Sequence, residues 1–79
     1  MTHSEIWRAI DNMAEKLGKS RSALAKECGL DSTTFNISKR YNKYGKPRWP
    51  SSQTLSKLLA TTGISEADFF NLIESERNL

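Results

Sequence analysis

The residues best suited to chemistry cluster between Ser20 and Arg48, and the chemistry they suit is recognition of nucleic acid. Asn36 carries an amide that can pair bidentately with the N6/N7 edge of adenine. Ser32 and Thr33 carry hydroxyls that donate or accept at base edges, and the Thr33 methyl suits a thymine methyl. Ile37 offers a further apolar contact, less comfortably placed. Thr34 is as well suited to supporting a turn. Around these sit cations that neutralise phosphates without reading sequence: Arg21, Lys39, Arg40, Lys43, Lys46 and Arg48. Ser20 and Ser22 flank Arg21 where backbone N–H groups at a helix start can meet a phosphate.

Charge supports this grouping. The chain has 79 residues and a net charge of +3. Residues 32–65 hold six basic residues and no acid, whereas residues 66–79 hold four acids and one Arg. A one-sided basic surface is an electrostatic footprint for phosphates, although a charged face also serves solubility.

Catalysis is not expected. One Cys and one His supply no nucleophile–base pair and no zinc set, and no phosphate loop occurs. No cofactor and no metal are expected. A lone Cys28 forbids an internal disulfide, and no apolar run reaches the roughly 18 residues of a membrane helix. The start is polar and unlike a signal peptide. A cytoplasmic location without membrane contact follows as the expectation. Cys28 reads as a buried small hydrophobe rather than a redox sensor.

Five helices would position the recognition residues. The first should span about Glu5 to Leu17: Thr2 and Glu5 have capping-box spacing, and Ile6, Ile10, Met13 and Leu17 recur at three and four. Trp7 and Ala14 widen that stripe, Gly18 stops it, and His3 reads as exposed. The second should span about Arg21 to Cys28, capped by Ser20. The third should start after Asp31, as N-cap, and end near Arg40 or Tyr41. Asn42–Pro50 holds Gly45, Pro47 and Pro50 and is expected to be a functional loop, with Trp49 anchoring it to the core rather than stacking on a base. The fourth should begin after Ser51 and run to about Thr61, burying Leu55, Leu58 and Leu59. The fifth should start at Ser65, bury Phe69, Phe70 and Ile73, and fray after about Ser75. One all-α domain over 1–79 results, a five-helix bundle with a helix-turn-helix over about 20–40 and a basic loop over 41–50.

Leu24, Ala25, Cys28, Gly29, Leu30 and Phe35 carry a resemblance. With a helix before them and two after, they resemble the phage-repressor-like (Cro/C1-type) helix-turn-helix family. The run TTFNISKR and the loop ending PRWPS are similar to the N-terminal DNA-binding region of self-cleaving phage-repressor-like transcriptional regulators. The resemblance covers about Ile6 to Phe70. It implies a lambda-repressor-like DNA-binding fold, base reading from Ser32, Thr33, Asn36 and Ile37, and a phosphate contact from Arg21. It also implies a homodimer on a two-fold operator and repression of transcription. The chain departs from the family in having Ser38 where an aliphatic residue is usual, and it contains no peptidase domain. A rival reading keeps the helical bundle as a protein–protein interaction module without DNA binding; the acid-free basic block argues against it.

Overall fold

The computed structural model describes residues 2–77, with side-chain burial as far as Ile73. It is all-α. Among the described residues four α-helices occur, α1 (His3–Lys16), α2 (Arg21–Glu27), α3 (Ser52–Thr62) and α4 (Glu66–Arg77), with one 3₁₀ turn at Ile37–Lys39 between α2 and α3.

Helix α1 is the central element and packs against α2 and α4. Its start follows from Thr2 and Glu5. The Thr2 hydroxyl accepts from the Glu5 N–H (3.1 Å), and the Glu5 carboxylate accepts from the Thr2 N–H (2.7 Å). Its inward stripe is Ile6, Trp7, Ala9, Ile10, Met13 and Ala14, all buried. Leu17, expected in that stripe, is 41% exposed because it is the C-cap, where the helical repeat has already ended.

Helix α2 begins at Ser20, whose hydroxyl accepts from the Ala23 N–H (3.1 Å). It ends in a Schellman motif: Leu30 N–H donates to the Ala25 carbonyl (2.9 Å) and Gly29 N–H to that of Lys26 (3.0 Å). Gly29 stands at φ +72°, a conformation that strains any residue with a Cβ. Leu24, Ala25 and Cys28 point into the core, and Leu30 packs at its edge.

The expected third helix does not form, so the described residues make four α-helices and a 3₁₀ turn rather than five helices. Residues 31–40 fold as successive short turns. Thr34 N–H donates to the Asp31 carbonyl, Asn36 N–H to that of Thr33, Lys39 N–H to that of Asn36, and Arg40 N–H to that of Ile37. Asn36 is extended (ψ 152°), which breaks any helix at its middle. Two side chains explain this. The Thr34 hydroxyl donates to the Asp31 carbonyl (2.6 Å) and competes for the acceptor a helix would use. The Arg40 guanidinium takes the Phe35 carbonyl (3.0 Å), which in an α-helix would accept from the Lys39 N–H. Burial still places Phe35 at 0% exposure, so the turns hang from a core anchor.

Helix α3 is capped by Ser51, which accepts from the Thr54 N–H (3.1 Å), and it closes at Gly63. Leu58 is buried, whereas Leu55 and Leu59 are only partly so. In α4 the Ser65 hydroxyl accepts from the Asp68 N–H (3.1 Å), and the helix continues past Ser75 to Arg77. Phe69 and Ile73 are buried, but Phe70 is 48% exposed: adjacent helical positions lie about 100° apart, so Phe69 and Phe70 cannot both face α1.

Candidate nucleic-acid interface

The surface to examine runs from Ser20 through Arg48, and one carboxylate organises it. Asp11, near the middle of α1, lies four residues after Trp7 and three before Ala14, both buried. Its Oδ1 accepts from Arg21 Nε (3.0 Å) and Arg40 Nη2 (2.7 Å), and its Oδ2 accepts from Arg40 Nη1 (2.9 Å). One side chain thus joins α1, the start of α2 and the end of the turn segment. Partial burial pushes the Asp11 carboxyl up in pKa, but the hydrogen bonds and charges of Arg40 and Arg21 outweigh it and hold it below the usual carboxylate value.

This changes the reading of Arg40. Its side chain is only 11% exposed, and its guanidinium carbon lies 4.9 Å from the Trp7 ring centroid. With Asp11, the Phe35 carbonyl and the indole face as partners, Arg40 is an internal brace and not one of the outward cations. Arg21 shares Asp11 yet stays 42% exposed, so its guanidinium retains a free side toward solvent.

The turn segment presents its residues unevenly. Thr33 and Ile37 are exposed, Ile37 at 60%; Ser32, Thr34 and Asn36 are half-buried. Asp31 caps the first turn by accepting from the Thr33 N–H (2.8 Å) and hydroxyl. Those two bonds hold the Asp31 carboxyl below its ordinary pKa. Asn36 makes no capping bond with its side chain. It lines a shallow cleft with Ser20, Arg21 and Ser22, so the structure brings the expected adenine reader beside the start of α2. On the other side Thr33, Lys39 and Arg48 line a cleft of about 250 Å³ that reaches Ser51 and Thr54 at the start of α3.

The segment after Arg40 is a small hairpin. Tyr41 and Pro47 form an antiparallel bridge, Asn42 N–H donates to the Lys46 carbonyl (2.8 Å), and Arg48 N–H donates to the Arg40 carbonyl (2.8 Å). Inside the turn the Asn42 side-chain oxygen accepts from the N–H groups of Tyr44 (2.8 Å) and Lys46 (3.0 Å). Gly45 supplies the left-handed residue, φ +78°, that closes so short a turn. Lys43, Tyr44, Lys46 and Arg48 are all exposed.

Helix α1 fastens the base of this hairpin. Trp7 Nε1–H donates to the Arg48 carbonyl (2.9 Å). His3 Nε2 lies 2.7 Å from the Arg40 carbonyl and 3.2 Å from that of Arg48; both are acceptors, so Nε2 carries the proton. His3 is therefore half-buried and structural, not the exposed terminal residue that its position in the sequence suggests. Its ring also meets those of Trp7, Tyr41 and Trp49 at centroid distances of 6.5, 5.1 and 6.2 Å. Trp49 thus packs as a loop anchor while staying 48% exposed.

Cys28 is buried, and burial raises its thiol pKa, so it is shielded from reagents. Among the described residues no group of three or more His, Cys, Asp or Glu side chains is placed to hold a metal ion, and no helix is long and apolar enough to cross a membrane. Sequence reasoning missed Asp11 and His3. A signal existed for both: each lies four residues from Trp7 on the same helix face, and a polar group placed there needs a partner. No family model, no curated protein and no solved structure matches the chain.

Proposed function

We propose that the chain is a sequence-specific double-stranded DNA-binding domain, the operator-reading part of a bacterial or phage transcriptional repressor. The observation that carries this reading is the turn segment Thr33–Lys39, which exposes Thr33 and Ile37 and is flanked by half-buried Arg21 and exposed Lys39, Lys43, Lys46 and Arg48 with no acid anywhere in residues 32–65. In this reading Arg21–Lys39 acts as a helix-turn-helix whose second helix is reduced to turns. Ser32, Thr33, Asn36 and Ile37 meet base edges in a major groove, and Ser20, Arg21, Ser22 and the exposed lysines hold phosphates. Arg40 acts from behind, by holding the Phe35 carbonyl and so shaping the segment. A homodimer on an inverted repeat suits half-sites about 34 Å apart. Dimer contacts would come from α4 and the tail after it, whose last two residues lie outside the described residues.

Selection from random duplexes across a salt series tests the reading. Enrichment of an inverted repeat, with affinity falling steeply as salt rises, is the expected result. Asn36→Ala should then relax preference at one base position, by about 1–3 kcal/mol of discrimination, while Lys43→Ala weakens all sequences alike.

The interaction-module reading has one observation in its favour. An open apolar groove of about 770 Å³ lies between α3 and α4, lined by Leu55, Leu59, Phe69 and Phe70 with Ile6 and Trp49. Absence of duplex binding even at low salt would overturn the DNA reading and leave this one.

A further inference from the structure

We infer that the Tyr41–Pro47 hairpin is a preformed arm that grips the sugar–phosphate backbone of duplex DNA beyond the bases met by the turn segment. The inference rests on the DNA-binding reading above and deepens it: it says how the exposed lysines of 43–46 are held and aimed at the phosphates. A basic loop alone would not carry it; the construction of this one does.

Three features set the hairpin apart from a loop with lysines. First, its conformation is fixed from within. The Asn42 side-chain oxygen holds two backbone N–H groups of the turn, and Asn42 N–H pairs with the Lys46 carbonyl. Second, its aim is fixed from outside. The carbonyls of Arg40 and Arg48, which end its two strands, are the groups that His3 and Trp7 of α1 hold, and Arg48 N–H crosslinks them. The same Arg40 is braced through its side chain to Asp11. The arm and the turn segment therefore move as one body. Third, its tip carries backbone-binding chemistry and nothing to neutralise it. Lys43 and Lys46 have no carboxylate partner among the described residues, and the Lys43 ammonium rests 5.1 Å from the Tyr44 ring centroid. Tyr44 is 75% exposed, an aromatic ring that packs on a cation and not on the core.

Geometry gives the reach. Two residues, Tyr41 and Asn42, join the base at Arg40 to the turn at 43–45, a projection of about 7 Å at roughly 3.3 Å each. That is about the step between neighbouring phosphates of one strand, which lie further apart than their rise of roughly 3.4 Å along the helix axis. Lys43 and Lys46 then neutralise two phosphates, and the Tyr44 hydroxyl donates to a third oxygen or a sugar. Pre-organisation matters because two long side chains on a floppy loop lose their entropy on binding, whereas the fixed turn has already ordered the backbone that carries them.

Hydroxyl-radical footprinting and a salt series with a duplex of about 30 base pairs, long enough for two half-sites about 34 Å apart, test the arm. Lys43→Ala with Lys46→Ala should lower the slope of log K against log salt by about two per bound copy, at roughly 0.9 per lost phosphate contact. Tyr44→Ala should remove protection at the outer edge of the footprint and leave the slope. Asn42→Ala keeps every charge, yet it too should lose the outer-edge protection, because the arm is no longer held. A slope unchanged in the double lysine variant overturns the arm as a phosphate contact. An outer edge unchanged in Asn42→Ala overturns its preformed character. Wild-type protein that binds no duplex at all removes the DNA reading and the arm together; wild-type protein that binds while the variants match it removes only the arm. Helical circular dichroism of each variant, unchanged from wild type, shows that the exposed tip was altered without unfolding the bundle.

Discussion

Helix α1 and the stretch Asp31–Pro50 are held in opposite ways. Helix α1 is fixed by its neighbours in sequence: a capping box at one end, a Gly18 turn at the other, and six buried side chains on one face. Asp31–Pro50 has almost no regular structure, and apart from Phe35 none of its side chains is buried. Its shape comes from polar groups that reach across the chain: Asp11 to Arg40, Trp7 to the Arg48 carbonyl, His3 to the carbonyls at the hairpin base. One region is built by periodic apolar burial and the other by side-chain-to-backbone bonds. A surface that must present many unsatisfied polar groups cannot be held by burial, so a second system of anchors holds it, and those anchors are rooted in the first region.

The sharpest way to break the contrast is Phe35→Ala. Phe35 is where the irregular stretch does use burial, and it is fully enclosed. Its loss should cost about 3–5 kcal/mol, a large part of the total stability of so small a domain, and a urea titration reads it directly. A small loss would mean that the turn segment is independent of the core.

Asp11→Ala comes next. It leaves Arg40 poorly exposed and without its carboxylate, and should cost about 2–3 kcal/mol in the same titration, below the figure for a fully buried pair because Asp11 is 26% exposed. The pH dependence has a defined sign. Asp11 has a lowered pKa in the folded protein, so its contribution is fully present above the ordinary value of 3.8 and is lost as pH falls through the lower folded value. Stability should therefore fall below about pH 4, and Asp11→Asn should flatten that part of the curve.

The smallest effect is expected from Asn42→Ala. Global stability should change by about 1 kcal/mol or less, while amide exchange at Tyr44 and Lys46 accelerates strongly. A change spreading to α1 amides would show that the hairpin helps to hold the core, reversing the direction of support described above.

The contrast also explains what was legible in the sequence. The α1 stripe, the caps at Thr2, Ser20, Ser51 and Ser65, and the turn at Gly29 were readable because their causes lie within a few residues. The 32–40 segment was not. A helix there is undone by Thr34 bonding back to Asp31 and by Arg40 capturing the Phe35 carbonyl. Arg40 is held in turn by Asp11, 29 residues away. Of the candidate site, the exposure of Thr33, Lys39, Lys43, Lys46 and Arg48 was readable from their types and their distance from the apolar stripes, and that of Ile37, against its apolar type, only from its place relative to the inward Phe35. The withdrawal of Arg40 was not, since nothing near it in sequence distinguishes a brace from an outward cation. Phe70 misled for a simpler reason: two adjacent aromatics look equally apolar, but a helix turns one of them outward.

The two tryptophans divide the molecule between them. Trp7 is buried, with its indole N–H held by the Arg48 carbonyl, and Trp49 is half-exposed beside the apolar groove. Nature has in effect installed two optical labels. Trp7 should emit in the blue, and its indole proton should resist solvent exchange for as long as the hairpin base is closed. Trp49 should emit further to the red and respond first to whatever settles against the groove. A single fluorescence or proton spectrum of the unlabelled chain thus reads the arm and the groove separately.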